Sequence, residues 1–292
     1  MVKYYIFVIF SMLTWGSLGI FVKNIPLDSV QISLARALVG SMFLLVVYIL
    51  QRNKLDMKNV KKYLPYLIYT GLAIGFNWVL LFEAYNYVPV SVATLTYYCA
   101  PAIVILASPL VLKDKITSAK IIGVVTAMAG MVMVNLQALG GGSVKGVVFG
   151  LSSAALYASV TLVNKKVKGF SGLEVTLIQL ICAGLVLIPY TMATSSVREI
   201  LKIDMTGFLW LAVLCMFHTG VCYWLYFVSL QKMPAYSVAM LSFLDPVSAL
   251  FFAAMFLNEK MTVLQIIGAM VIIGGAMFCE IWQHKKDKQM QK

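Results

Sequence analysis

The sequence predicts an all-α integral membrane protein whose ten transmembrane helices form two five-helix repeats of inverted topology. Three observations predict it: an apolar excess that no soluble core can hold, ten apolar runs of membrane-spanning length, and a second half that repeats the first in register.

The apolar excess is a matter of volume. Of 292 residues, 61% are hydrophobic and 12% charged, and the mean hydropathy is +0.90. Soluble domains run near roughly 45–50% apolar and about 25% charged, and a chain of this size has no interior large enough to hide the difference. Lipid has. The formal net charge of +12 suggests nucleic acid at first sight. The basic residues sit instead in short clusters between apolar stretches, as membrane orientation requires, so nucleic acid is excluded as a partner and membrane lipid is the expected one. Cys99, Cys182, Cys215, Cys222 and Cys279 all fall inside apolar stretches; an odd total without framework spacing reads as small buried side chains, not staples.

The ten runs cover residues 4–22, 30–50, 63–87, 90–112, 116–135, 146–164, 172–191, 206–230, 235–257 and 261–282. A hydrocarbon core of about 30 Å needs about 20 residues of helix, and helices satisfy their own backbone in lipid. The strict alternation of a membrane β-barrel is missing. The first run lacks a small-residue cleavage site and nine more follow it, so it is expected to remain as a span. With the N-terminus cytoplasmic, the inner segments hold 17 Lys and Arg and the outer segments five, with Arg36 left inside the second span. That asymmetry predicts a multi-pass protein of the cytoplasmic membrane with both termini inside. The basic tail then serves as an orientation anchor.

The repeat is read without a gap. Residues 77–134 lie over 222–279 at a constant offset of 145, and Pro89, Pro101, Gly123 and Gly130 recur as Pro234, Pro246, Gly268 and Gly275. The expected organisation is a first five-helix repeat over 1–138, a Gly-rich linker over 139–145, a second repeat over 146–283 and a basic cytoplasmic tail over 284–292. Five spans per repeat is an odd number, so the second repeat enters from the opposite side. Inverted repeats place two similar half-structures around a midplane site and give a route to alternating access.

Trp15-Gly16 in the first span, Arg36 in the second, and the series Asp245-Pro246, Leu257, Glu259 and Gly268 resemble the ten-helix EamA-type members of the drug/metabolite transporter superfamily. Two departures from the pattern stand in the first repeat, where Ala100 precedes Pro101 and Asp114 stands in place of Glu. The resemblance covers nearly the whole chain. It implies a transporter, often an exporter, in a family whose substrates range from amino acids and other metabolites to toxic compounds.

Intramembrane charge is costly and defaults to a functional reading. Glu83 lies about five residues, roughly 7 Å of helix, from the outer end of the third span, and Arg36 lies at a similar depth in the second. They read either as a cation or proton site beside an anion anchor, or as a structural ion pair. Asp245 sits mid-span before Pro246, which removes a backbone donor and loosens the helix. It can bind a substrate amine, take up a proton, cap a broken half-helix or pair with His218. Pro101, at the matching place in the first repeat, makes a symmetric hinge with Pro246.

Aromatic residues Trp15, Trp78, Tyr97, Tyr98, Tyr157, Tyr223, Trp224 and Tyr226 cluster within spans. Each one alone reads first as packing, while the group suits a cavity wall for organic cations or planar metabolites; Trp15, Trp78 and Tyr97 are the preferred lining residues. Asn77 and Asn86 read as substrate donors or as bridges between helices. Cys215, His218 and Cys222 share one helical face but lack a fourth ligand, so no metal is expected. No cofactor is expected either, since the chain has no Walker loop, no H-E-x-x-H and no evident triad.

These readings converge on a secondary transporter, an exporter of amino acids or similar small metabolites working by alternating access, with a proton as a possible coupling ion. The alternatives are a proton-coupled efflux carrier for organic cations and, from another class, a membrane enzyme or lipid-handling subunit. Oligomeric state is not legible in the sequence.

Overall fold

The computed structural model describes residues 1–52, 57–136, 143–200, 202–256 and 260–290. Gly140, Gly141 and Gly142 of the expected linker, and Leu257, Asn258 and Glu259 of the second acidic turn, lie outside the described residues. Among the described residues ten helices are long and apolar enough to cross a membrane: α1 Val2–Lys23, α2 Ser29–Leu50, α3 Lys61–Tyr85, α4 Val92–Leu112, α5 Ser118–Asn135, α6 Val144–Asn164, α7 Gly172–Thr194, α8 Met205–Lys232, α9 Ala235–Phe256 and α10 Val263–Gln283. Ten is even, so both ends of the chain lie on one face, here the terminal face.

Local chemistry starts matching helices in matching ways. Asp28 caps α2 in a capping box with Gln31, and Ser171 caps α7 in one with Glu174; in each, two backbone donors that the helix end leaves orphaned are satisfied. Thr117 accepts from the Lys120 amide at the start of α5, and Thr262 from the Gln265 amide at the start of α10. Pro89 and Pro234 precede the first turns of the helices that open α4 and α9.

Packing carries the same duplication. Helix α3 packs on α6 as α8 packs on α1, and α3 on α7 as α8 on α2; α2 meets α7, and α5 meets α10. One pair of bonds fixes the register: Ser11 Oγ donates to the Cys222 carbonyl at 3.1 Å and Ser153 Oγ to the Asn77 carbonyl at 2.9 Å. Residue 11 thus corresponds to 153, an offset of 142, while 77 corresponds to 222, an offset of 145. Where α5 crosses α10, a Cβ on Gly130 would stand 2.6 Å from the Gly268 carbonyl oxygen, and one on Gly268 2.8 Å from that of Gly130. Only glycines allow backbones that close.

Three interruptions depart from straight spans. Helix α1 is broken at Ser17. Helices α4 and α9 are each interrupted, at Tyr98-Cys99 and at Ser242-Phe243. A proline clashes with the carbonyl four residues earlier, which for Pro101 is Tyr97 and for Pro246 is Ser242, so both breaks fall where the prolines put them. In α8 the segment Leu214–Val221 is a π-helix, for which the sequence held no signal; its counterpart in α3 is regular α-helix.

Candidate functional site

A cavity of about 630 Å³ lies between the repeats. Its wall is built from the later halves of α1 and α3, the early half of α2 and of α4, and the later half of α9. Those halves all lie toward the face opposite the termini, so the cavity opens there. Beneath it, Val8, Met12, Tyr226, Phe227, Leu230 and Met233 are buried in the largest apolar cluster and close the terminal side.

Of the residues singled out in the sequence, Trp15, Arg36, Trp78, Tyr97, Pro101 and Asp245 line this cavity. Helical phase explains the choice in α3: Trp78, Leu81, Phe82 and Tyr85 follow i, i+3, i+4, i+7 and face inward together. Glu83, five residues beyond Trp78, is turned about 140° away at 3.6 residues per turn. Its carboxylate accepts from the Tyr190 hydroxyl of α7.

The ion pair, one of the two readings of Arg36 and Glu83, is not among the contacts these side chains are seen to make. Arg36 Nε donates to Thr219 Oγ1 at 2.9 Å, and the guanidinium lies 4.9 Å from the centroid of the Trp78 ring. Nor does Asp245 pair with His218. The His218 ring is 2% exposed, 3.0 Å from Ser17 Oγ through Nε2 and 4.3 Å from the Phe21 ring. Asp245 lies with Tyr98 in the cavity wall. Asn77 is fully buried and bridges helices, donating to the Ser153 carbonyl at 2.7 Å and to Ser153 Oγ at 2.8 Å. Cys215, His218 and Cys222 gather no metal set: among the described residues no three His, Cys, Asp or Glu side chains converge.

The π-turn of α8 organises one wall. Closing at i+5 displaces carbonyls from the regular ladder, and such turns recur at functional sites. Here the His218 carbonyl accepts from Trp15 Nε1 at 2.8 Å, while Thr219 holds Arg36. One irregular segment thus seats both an aromatic wall residue and the single cavity-lining guanidinium among the described residues. On the other wall, Asp245 occupies the first turn of the half-helix Leu244–Phe256, where the helix dipole favours a carboxylate. The matching half-helix Ala100–Leu112 begins at the cavity with Ala100 and Pro101 and has no acid in its first turn.

Aromatic rings fill the floor. Trp15 stands 4.9 Å from Tyr223, Trp78 6.3 Å from Tyr223, and Tyr97 5.8 Å from Tyr157, between centroids. Tyr157 and Tyr223 were not preferred in the sequence, although the repeat points to them: the offset of 142 carries Trp15 to Tyr157, and that of 145 carries Trp78 to Tyr223. Thr219, which fixes Arg36, left no signal.

The profile described as the EamA-like transporter family matches residues 2–136 and again 144–280. The "Uncharacterized transporter YxxF" of Bacillus subtilis (strain 168) is 24% identical over 91% of this chain and 86% of its own length. The "Probable amino-acid metabolite efflux pump" of Escherichia coli (strain K12) is 27% identical over 82% of this chain and 83% of its own. "Protein PecM" of Dickeya dadantii (strain 3937) is 27% identical over 72% and 71%. A crystal structure described only as that of a protein superposes with a TM-score of 0.83 at 12% identity, covering 95% of this chain and 97% of that one; it shares the fold.

Proposed function

Because the chain belongs to the EamA-like transporter family, and is a transporter and not an enzyme, we propose that it exports amino acids or similar small metabolites across the cytoplasmic membrane by alternating access. The observation that carries this reading is one cavity holding a guanidinium and a carboxylate on opposite repeats. Arg36 suits a substrate carboxylate, with the acid-free start of the half-helix Ala100–Leu112 adding its dipole. Asp245 suits an ammonium group. Trp15, Trp78, Tyr97 and Tyr223 supply apolar walls around a volume within the usual range of small-molecule sites, about 300–1,000 Å³. The relative named an amino-acid metabolite efflux pump supports the same class, and the lysine and arginine asymmetry supports termini in the cytoplasm.

Efflux from proteoliposomes loaded with amino acids, amines and carboxylic acids tests it. Arg36→Gln is expected to abolish export of amino acids and acids while sparing amines; Asp245→Asn is expected to do the reverse for the charged amines. Loss of every solute alike in both variants would remove the zwitterion reading. The second reading, efflux of organic cations, draws on Asp245 among aromatic faces; it predicts export of quaternary amines that Arg36→Gln leaves intact or improves. A proton exchanged at Asp245 is the coupling ion that fits either reading, and acceleration by an inward pH gradient checks it.

A further inference from the structure

A second cavity, of about 740 Å³, lies at the terminal face between the turn that joins α4 to α5, the end of α6 and the corner that joins α8 to α9. Its wall carries Lys115, Lys120, Lys165 and Lys232 beside Asp114, the one acid in that wall among the described residues. The cavity between the repeats sets one guanidinium against one carboxylate. Here four lysines face one aspartate, and positive charge prevails.

Neutral groups hold two of the lysines in place. Lys165 Nζ donates to the Leu230 carbonyl at 2.8 Å and to the Met233 carbonyl at 2.5 Å. Lys120 is 5% exposed; its Nζ donates to the Lys115 carbonyl at 2.8 Å and stands 4.6 Å from the centroid of the Tyr236 ring. Carbonyls and an aromatic face steady an ammonium group without cancelling its charge, and a buried charge is costly until it is paired. Membrane orientation does not account for this arrangement. A lysine that only marks the cytoplasmic face needs water or headgroups around it, as the exposed Lys166 and Lys168 have, and gains nothing from a cavity wall. The duplicated fold does not require it either. The offset of 145 carries Lys120 to Gln265 and Lys232 to Tyr87, so half of the cluster is particular to this face.

We propose that this cavity binds the phosphate group of an anionic ligand, supplied by a phospholipid headgroup or by a free phosphorylated metabolite. Lysine binds phosphate as a compact point charge, and here separate parts of the chain bring four of them to one volume. That volume leaves room for the organic group a phosphate carries. Basic pockets between spans on the cytoplasmic side hold anionic headgroups, so lipid is the expected source. The site is independent of the cargo proposed above.

Two probes test it on the purified chain in detergent. Dioleoylphosphatidylglycerol is titrated and its retention followed by native mass spectrometry; inorganic phosphate is followed as a rise in the thermal transition over sodium chloride of equal ionic strength. One lipid retained per chain is expected. Lys115→Gln with Lys232→Gln, both at exposed positions, is expected to weaken retention about tenfold. Lys166→Gln with Lys168→Gln removes the same charge from the same face outside the wall and is expected to leave retention unchanged. Lys115→Arg with Lys232→Arg keeps the charge and is expected to bind as the parent does, a recovery that separates lost charge from a damaged fold. Retention of lipid that the first Gln pair weakens assigns the headgroup, and a phosphate-dependent rise that the same pair loses assigns the free ligand. Equal behaviour of the two Gln pairs, failure of the Arg pair to recover, or no response to either probe overturns the proposal.

Discussion

At the scale of residues, position around a helix decides what a polar side chain does. Asn77 and Trp78 are neighbours in sequence, yet one joins α3 to α6 and the other faces the cavity. Interhelical hydrogen bonds in membranes contribute about 0.6 kcal/mol on average and up to about 1.7, and Asn77 makes two. Asn77→Ala is accordingly expected to lower stability by about 1 kcal/mol, read as an earlier thermal transition in detergent, with the substrate profile unchanged. A changed profile would place Asn77 in the site after all. The polar character of Asn77, Glu83 and Arg36 was plain in the sequence. Their partners were not, because equal depth in the membrane says nothing of azimuth. Glu83 was matched to Arg36 by depth, and the rotation of α3 sends it to Tyr190 instead.

At the scale of elements, the sequence was most legible where one residue type has one physical consequence. Pro101 and Pro246 predict loosened helices, and both interruptions lie within the four residues before them. Gly123 and Gly130 keep register with Gly268 and Gly275 in the repeat, and α5 meets α10 through them. Gly130→Leu would force a side chain onto the Gly268 backbone, and overpacking of that kind costs about 3 kcal/mol; the variant is expected to lose thermal stability far more than Asn77→Ala. A small effect would show that the α5–α10 pair can slide apart. The π-turn of α8 was not legible, since no residue in Leu214–Val221 demands it. Its advantages are tertiary: it offers a carbonyl to Trp15 and a hydroxyl to Arg36, residues of helices more than a hundred residues away in sequence.

At the scale of the molecule, the duplication was readable as an offset of identities, and the structure extends it to helices whose identities are too sparse to align by eye. The two repeats are nevertheless unequal, and Glu280 marks the inequality. Its carboxyl accepts from Tyr5 and, at 2.9 Å, from Ser237, joining α1, α9 and α10 on the terminal face. The corresponding positions are Asn135, Val147 and Val92; the two valines have nothing to donate, and Asn135 bonds back to Met131 of its own helix. A chain made of two identical repeats would rest with an equilibrium constant of one between its two openings. Hydrogen bonds to a charged group are worth about 1.5–3 kcal/mol; on the proposed alternating-access reading, a junction found on one face alone among the described residues would tilt the balance toward the opening opposite the termini by roughly 10- to 100-fold. Glu280→Gln should erase much of that tilt, halting neither opening but evening their occupancy, as double electron–electron resonance across each mouth would register. On that reading, the direction in which the molecule waits for its cargo is a property of one carboxyl group outside the cavity wall.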